Sequence, residues 1–148
     1  MIMTGGAMAN FVALECARDA GLGHDVREQG VRAHGPAVLY ASEEAHVVIR
    51  RAADMLGLGA GAVRAIAIDA EQRMRPEALE AAIGGDLVAG VKPLAVVATA
   101  GTTTTGSIDP LPAIAGVAEE HGLWLHVDAA YGGAIVLSDE LRGLLEGV

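Results

Sequence analysis

The sequence predicts a three-layer α/β fold in which a mostly parallel sheet is covered by helices on both faces. Short apolar segments alternate with segments of helical periodicity along the whole chain. The apolar segments are continuous runs, such as LAVVATA, and do not alternate with polar residues; this is typical of strands buried on both faces. A length of 148 residues suits a single domain.

Five helices are predicted from apolar residues at helical spacing and from residues that favour helix ends. The first helix is stopped by Gly21 and Gly23, and the second is capped by Ser42 with two glutamates in its first turn. Pro76 suits the first position of the third helix, and Ser138 is a candidate cap for the fifth. The predicted helices cover residues 7–20, 43–56, 76–83, 109–121 and 138–145.

Four strands are predicted between these helices, and a polar loop is expected at 22–36. The predicted strands cover residues 37–41, 63–68, 94–100 and 123–128. In such sheets a ligand binds outside the carboxyl ends of the strands. Polar residues lie at or just beyond three of these ends: Ser42 with the helix that carries His46, Thr99 with the turn GTTTTG, and Asp128. Their convergence predicts a site at this edge of the sheet.

Asp128 is the sharpest single feature, because it ends an apolar strand and a buried carboxylate is costly without a partner. Strand alternation places His126 and Asp128 on the same face. The partner is either a ligand cation or the backbone of the turn at 129–133, which Asp128 would cap. The position at a strand end favours the ligand.

Three other segments have both a functional and a structural interpretation. The small residues of TGGA before the first helix would let backbone N–H groups bind an anion, or they simply begin a helix. His46 would stack on a flat ring, or it is a partly exposed helix histidine. The hydroxyls of GTTTTG would hold a ligand oxygen, or they bond the backbone within the turn. Neither a P-loop nor a G-x-G-x-x-G fingerprint is present.

Composition excludes several classes of function. The net charge of −9 argues against nucleic acid or an anionic membrane as a partner. Cys16 is the only cysteine, so no internal disulfide forms and a cytoplasmic location fits best. The histidines have no ligand spacing among themselves or with Cys16, so no metal site is expected.

Taken in order, four segments resemble the group II pyridoxal-phosphate-dependent amino acid decarboxylases, which include the aromatic-L-amino-acid and glutamate decarboxylases. The segments are GGAMANFVAL, SEEAHVVIRRAADMLGLG, VVATAGTTTTGSIDPLPAIA and LWLHVDAAYGG. The resemblance implies the large domain of the aspartate aminotransferase fold (fold type I), pyridoxal 5′-phosphate as cofactor, an L-amino acid as substrate and a homodimer as the complete protein.

The resemblance also implies roles for individual residues. The cofactor-binding residues would be Gly5, Gly6, Ala7, His46, Thr103, Asp128 and Ala130. The first three would hold the phosphate at the helix N-terminus, and the alanine at 130 would pack against one face of the ring. His46, Thr103 and Asp128 would be catalytic. His46 would stack on the other ring face, and Thr103 would lie near the 3′-oxygen and the substrate. Asp128 would bind the pyridine nitrogen.

The sequence departs from the family pattern at three points. Ala7 stands where many members have Ser or Thr, and Met8 stands where many have Glu. The family's Schiff-base lysine follows the HVDAAYGG segment, whereas Lys92 is the only lysine here and is predicted at the amino end of a strand. We expect residues 1–148 to be a partial large domain without the N-terminal segment, the lysine region and the C-terminal domain, and to be inactive alone.

Other functions stay open from the sequence. Another fold-type-I activity, such as an aminotransferase or a carbon–sulfur lyase, would use the same aspartate and stacking residue. A non-catalytic remnant or interaction module is the alternative of a different class, because the lysine is missing. A nucleotide-binding Rossmann domain fits the alternation of strands and helices but not the motifs.

Overall fold

The structure is a computed structural model that describes residues 2–146. Four strands form one sheet in the order β2-β1-β3-β4, and every neighbouring pair is parallel. The strands are β1 (Ala37–Ser42), β2 (Val63–Ile66), β3 (Lys92–Thr99) and β4 (Trp124–Asp128). All four predicted strands are present. Two of them end earlier than predicted, because Ile68 and Ala100 form isolated antiparallel bridges instead.

Helices cover both faces of this sheet, so the predicted three-layer fold is confirmed. The helices are α1 (Gly6–Leu22), α2 (Val26–Gln29), α3 (Val48–Met55), α4 (Pro76–Val88) and α5 (Leu111–Glu120). Short 3-10 turns lie at Val31–His34, Ala60–Ala62, Gly132–Leu137 and Arg142–Leu145. Helices α1 and α3 pack on one face, and α4 and α5 pack on the other. None of the helices in the described part of the chain has the length and apolarity needed to cross a membrane.

The middle strand β3 explains why the strands read as continuous apolar runs. Ala95 and Val97 belong to the core under α1 and α3, whereas Val96 and Ala98 belong to the core under α4 and α5. Successive side chains of a strand point to opposite faces, and here both faces are buried. The strand therefore contains no solvent-facing position from Leu94 to its end.

Helix α1 lies directly on the sheet. It continues past Gly21, contrary to the predicted stop, and ends at Gly23, whose φ of 98° is unfavourable for other residues. A Cβ on Gly21 would lie 2.6 Å from a methyl carbon of Leu94 in β3, so glycine allows this close contact. The predicted loop at 22–36 contains α2 and a 3-10 turn.

The predicted helix at 43–56 is wrong in its first turn. Ser42 is the last residue of β1, and residues 43–47 form a turn before α3 begins at Val48. The Ser42 hydroxyl accepts a hydrogen bond from the N–H of Glu44 at 3.1 Å, so it caps this turn and no helix. The serine and glutamate pattern favours both structures, and pairing of Ser42 with Ile66 in the sheet decides between them.

The predicted helix after Ser138 is also wrong. The Ser138 hydroxyl accepts from the N–H of Leu141 at 3.3 Å, but only a turn and the 3-10 segment Arg142–Leu145 follow. The segment is short and contains Gly143, and isolated short helices are marginal in water. Leu144 in this segment is 57% exposed, so little packing supports a helix here.

Candidate active site

A cleft of about 220 Å³ opens at the carboxyl end of the sheet. It lies between the N-terminus of α1, the turn after β1, the turn after β3 and the turn after β4. The predicted site residues that line it are Gly6, Ala7, His46, Thr103, Asp128 and Ala130. Gly5 does not line the cleft but directly precedes α1. The structure thus brings together residues that are up to 124 positions apart in the sequence.

The N-terminus of α1 supplies backbone donors to this cleft. The first N–H groups of a helix have no partner within the helix, and they carry its positive dipole end. Gly5 precedes the helix with a φ of 136°, which is accessible to glycine and not to other residues. A Cβ on Gly6 would lie 2.9 Å from the Cβ of Ala130, so glycine also lets the turn after β4 approach the helix.

Two further glycines bring the turn after β4 against the end of β3. The N–H of Gly132 donates to the carbonyl of Ala100 at 3.0 Å. A Cβ on Gly132 would lie 2.2 Å from that carbonyl oxygen, and a Cβ on Gly101 would lie 2.9 Å from the Gly132 backbone. These contacts explain the glycines of AYGG and AGTTTT, and they hold Ala130 at the wall of the cleft.

Asp128 ends β4 and is half-buried in the cleft wall. Its Oδ1 accepts a hydrogen bond from the N–H of Ala130 at 3.1 Å, which is the turn cap considered from the sequence. Its Oδ2 accepts from Nδ2 of Asn10 at 3.1 Å. Each oxygen has a second lone pair, so the structural role leaves the carboxylate able to bind a ligand cation.

Asn10 is a site residue that the sequence analysis missed. It lines the cleft, is 3% exposed and stands one helical turn after Gly6 in α1. Its Oδ1 lies 2.6 Å from Nε2 of His126, so His126 and Asp128 share a partner and lie on one face as predicted. The available signal was a polar residue on the side of the helix that carries Leu14 and Ala17.

Burial lowers the pKa of His126, and the negative charge of Asp128 opposes that shift only in part. A histidine in this environment is neutral at pH 7. Its Nε2 carries the proton, because Asn10 presents a carbonyl oxygen to it. His126 is therefore a hydrogen-bond donor to Asn10 and not a counter-ion of Asp128.

His46 lies in the turn before α3, not within the helix as predicted. Its Nδ1 accepts a hydrogen bond from the N–H of Val48 at 3.2 Å. This bond holds the imidazole at the start of the helix, and the exposed ring lines the cleft. The ring is thus placed to pack against a flat ligand.

The GTTTTG turn divides its hydroxyls between the two interpretations. The Thr102 hydroxyl is buried, lies 2.7 Å from that of Thr105 and accepts from the N–H of Ser107 at 3.2 Å. The Thr104 hydroxyl donates to Glu44 at 2.9 Å. These threonines build the turn. Thr103 instead lies exposed and lines the cleft, so its hydroxyl is available to a ligand.

The polar groups of the cleft match those that pyridoxal 5′-phosphate requires: helix N–H donors for a phosphate, a carboxylate acceptor for a ring N–H and an imidazole for a ring face. The hydroxyl of Thr99, which also lines the cleft, is buried and has no hydrogen-bond partner among residues 2–146. Buried polar groups are generally paired, so this unpaired hydroxyl in the cleft wall is an exception. Residues 2–146 contain no cluster of side chains placed to hold a metal ion.

Lys92 is the first residue of β3 and pairs with Ala37 at the amino end of the sheet. Thr99 ends the same strand seven residues later, which corresponds to a separation of about 23 Å in an extended strand. The prediction that Lys92 lies away from the site is therefore confirmed.

Comparisons with known proteins identify the family of this chain. The family model described as pyridoxal-dependent decarboxylase conserved domain matches residues 1–148. The cysteine sulfinic acid decarboxylase of Homo sapiens is 44% identical over 144 residues, which cover 97% of this chain and 29% of that protein. The aspartate 1-decarboxylase of Aliivibrio fischeri is 38% identical over 156 residues, which cover 98% of this chain and 28% of that protein.

Solved structures give the same result. The crystal structure of mouse CSAD has a TM-score of 0.96 and 44% identity, with 99% of this chain and 31% of that chain covered. The crystal structure of Oryza sativa TDC with PLP has a TM-score of 0.88 and 32% identity, with 99% of this chain and 31% of that chain covered. The chain spans less than a third of the length of these relatives. On this sequence match and this fold, the chain belongs to the pyridoxal-dependent decarboxylase family.

Proposed function

We propose that the protein containing these 148 residues is a carboxy-lyase that decarboxylates an L-amino acid with pyridoxal 5′-phosphate. One observation carries the proposal: the N-terminus of α1, His46 and Asp128 line a single cleft at the carboxyl end of a parallel sheet. In this proposal the chain supplies the cofactor-binding wall of the active site.

Each part of the wall has a separate task. The free N–H groups at the start of α1 would hold the phosphate. His46 and Ala130 would pack against opposite faces of the ring and fix its plane. Asp128 would hold a proton on the ring nitrogen through a charge-assisted hydrogen bond. The cofactor held in this way would supply an electron sink for the electron pair that the substrate keeps when its carboxylate leaves as CO₂.

Thr103 would have a different task, because it is an exposed residue that lines the cleft. It would bind the substrate or the 3′-oxygen of the cofactor. Ala7 has no hydroxyl for the phosphate, so this end of the site relies on backbone donors.

We propose an acidic amino acid as the substrate class. The names of three groups of relatives carry this step: cysteine sulfinic acid decarboxylases, acidic amino acid decarboxylases and an aspartate 1-decarboxylase. Recognition of an acidic side chain requires a cation. The described residues that line the cleft include neither lysine nor arginine, so a segment outside this chain would provide that cation.

We also propose that the complete protein is a cytoplasmic homodimer without a membrane or nucleic-acid partner. The net charge of −9 supports the absence of anionic partners. Exposed apolar side chains near the end of the chain, among them Leu137 at 88% and Leu144 at 57%, support contacts with further protein surface.

Product analysis of the complete gene product tests the function. We expect an amine and CO₂ from aspartate or cysteine sulfinate, and cofactor binding at one site per chain. A keto acid as product would favour an aminotransferase, and release of the substrate's sulfur would favour a carbon–sulfur lyase. Cofactor binding without any product would favour a non-catalytic module. The 148-residue chain alone is expected to form no amine, because the described residues place no lysine at the cleft.

A further inference from the structure

We propose that Asn10 is a positioning residue that aims the Asp128 carboxylate and ties it to the N-terminal turn of α1, with His126 holding the Asn10 amide in place. The proposal rests on the proposed function, because it assigns Asn10 to the two anchor points of the same cofactor. It adds two residues to the site, neither of which belongs to the predicted set.

The hydrogen bonds of Asn10 leave a single orientation for its amide. Its nitrogen lies 3.0 Å from the carbonyl oxygen of Gly6 and 3.1 Å from Oδ2 of Asp128. Both partners only accept hydrogen bonds, so the Asn10 nitrogen must be the donor to each. The Asn10 oxygen then faces Nε2 of His126 at 2.6 Å, which must carry a proton. If the amide were flipped, its oxygen would face two other acceptors, the Gly6 carbonyl oxygen and Oδ2 of Asp128. That orientation is therefore excluded.

This arrangement fixes the carboxylate of Asp128 from both sides. Asn10 holds one oxygen, and the N–H of Ala130 holds the other at 3.1 Å. A carboxylate that accepts a hydrogen bond on each oxygen cannot rotate freely. Its remaining lone pairs therefore keep a constant direction. Asn10 is 3% exposed, so water has little access to its side-chain amide.

Asn10 also connects the two ends of the cleft. The carbonyl of Gly6 belongs to the first turn of α1, whose N–H groups point to the proposed phosphate position. Asp128 lies 118 residues further along the chain and at the other end of the proposed ligand. A single side chain therefore bonds both to the first turn of α1 and to Asp128.

His126 acts only through Asn10. It is partly buried in β4, where its Nε2–H has the Asn10 oxygen as its partner, and burial keeps the imidazole neutral. Removal of this donor would release the amide of Asn10, which would then be free to rotate away from Asp128. A substitution that keeps an N–H at the Nε2 position should preserve the whole network.

The test uses the complete gene product and four variants. Asn10→Ala removes the network, His126→Leu removes its outer donor, and His126→Gln keeps an amide N–H near the same position. Tyr40→Phe is the matched control, because it also removes one buried hydrogen bond, that to Asp86 at 3.0 Å, but on the other face of the sheet. The measurements are the dissociation constant of pyridoxal 5′-phosphate and the nuclear magnetic resonance shift of an isotope-labelled ring nitrogen.

We expect Asn10→Ala to raise the dissociation constant about tenfold or more, as is typical for loss of a hydrogen bond to a charged group. The labelled nitrogen should also lose part of its protonated signal. His126→Leu should show the same changes to a smaller extent, while His126→Gln and Tyr40→Phe should match the wild type in both measurements.

Two results would overturn the inference. Asn10→Ala with wild-type affinity and a fully protonated ring nitrogen would show that Asp128 needs no such support. Equal effects of Asn10→Ala and Tyr40→Phe would show a general loss of stability. Failure of the wild-type protein itself to bind the cofactor would instead refute the proposed function, and the inference with it, so the two failures are distinguishable.

Discussion

Two aspartates with buried partners show how differently this chain uses a carboxylate. Asp86 in α4 accepts from both Nε and Nη2 of Arg64, at 3.0 Å and 2.7 Å, and from the hydroxyl of Tyr40 at 3.0 Å. Asp128 accepts from a side-chain amide and a backbone N–H and has no ion pair within the described part of the chain. The first charge is neutralised internally, and the second is not.

The two aspartates differ in whether the protein itself supplies a counter-ion for the carboxylate. The pKa of Asp86 is lowered, chiefly by its hydrogen bonds to Arg64, although burial opposes this. The pKa of Tyr40 is raised, by burial first and then by Asp86. This cluster is complete without a ligand. Asp128 is oriented by neutral donors and opens on a cleft, so an external cation would complete it.

The largest effect is expected from Asp128→Asn in the complete gene product. The amide cannot hold the proton on the ring nitrogen as an ionised partner does, so we expect decarboxylation to fall roughly 10²- to 10³-fold, the range for loss of one preorganised electrostatic group. Steady-state kinetics and the cofactor's absorption spectrum measure this. The free energy of unfolding should fall by less than in Asp86→Asn, because a hydrogen bond is weakened but no ion pair is lost. An equal drop would place Asp128 with the structural carboxylates.

Asp86→Asn should give the opposite result. It removes the counter-ion of Arg64 and weakens the acceptor of Tyr40, which is 0% exposed. We expect the free energy of unfolding to fall by about 2 kcal/mol, the usual cost of a buried polar group left poorly paired. Denaturant unfolding gives this value. Cofactor affinity should be unchanged, and a clear loss of affinity would contradict the separation of the two aspartates.

The pH dependence of stability should separate them as well. The folded-state pKa of Asp86 lies below its ordinary value of 3.8, so its contribution is fully present above that value and is lost as the pH falls through the folded pKa. The stability difference between wild type and Asp86→Asn should therefore shrink as the pH falls below about 4. Unfolding curves from pH 6 to about 2.5 measure it. A constant difference would exclude ionisation as the cause.

The smallest effect is expected at Thr99. Its hydroxyl is buried without a partner among the described residues, so Thr99→Val should leave the stability of the cofactor-free protein unchanged or slightly raised. If the cofactor hydrogen-bonds to this hydroxyl, the cofactor affinity of Thr99→Val should fall roughly two- to tenfold. Thr99→Ser keeps a hydroxyl and should retain the wild-type affinity. Isothermal titration of both variants decides this. Equal affinities of all three proteins would show that the hydroxyl has no role in binding.

The fold and most of the cleft could be predicted from the sequence. Continuous apolar strands require cover on both faces, and parallel strands collect their carboxyl ends at one edge, which brings Thr103 and Asp128 together. The proposed roles of His46, Thr103 and Asp128 remain predictions, although the structure places all three at the cleft. That residues 1–148 form only part of a larger domain is likewise a prediction.

Local patterns were insufficient at two places. Ser42 followed by two glutamates favours a helix cap as much as a turn, and the pairing of β1 with β2 extends the strand through Ser42. His46 consequently precedes α3. The Ser138 pattern predicts a helix that lacks packing, and the structure has a 3-10 segment there.

The parallel three-layer architecture, the family and the position of Asp128 at a strand end could all be predicted from the sequence. They depend on periodicity, glycines and strand-end polar residues, which are local properties of the chain. The hydrogen bonds of Asn10, the protonated nitrogen of His126 and the neutralisation of Asp86 are visible only in the tertiary structure. Each of these depends on contacts across 22 to 118 residues. Hydrogen bonds of that range follow from how α1 and α4 pack on the sheet, which no local pattern specifies.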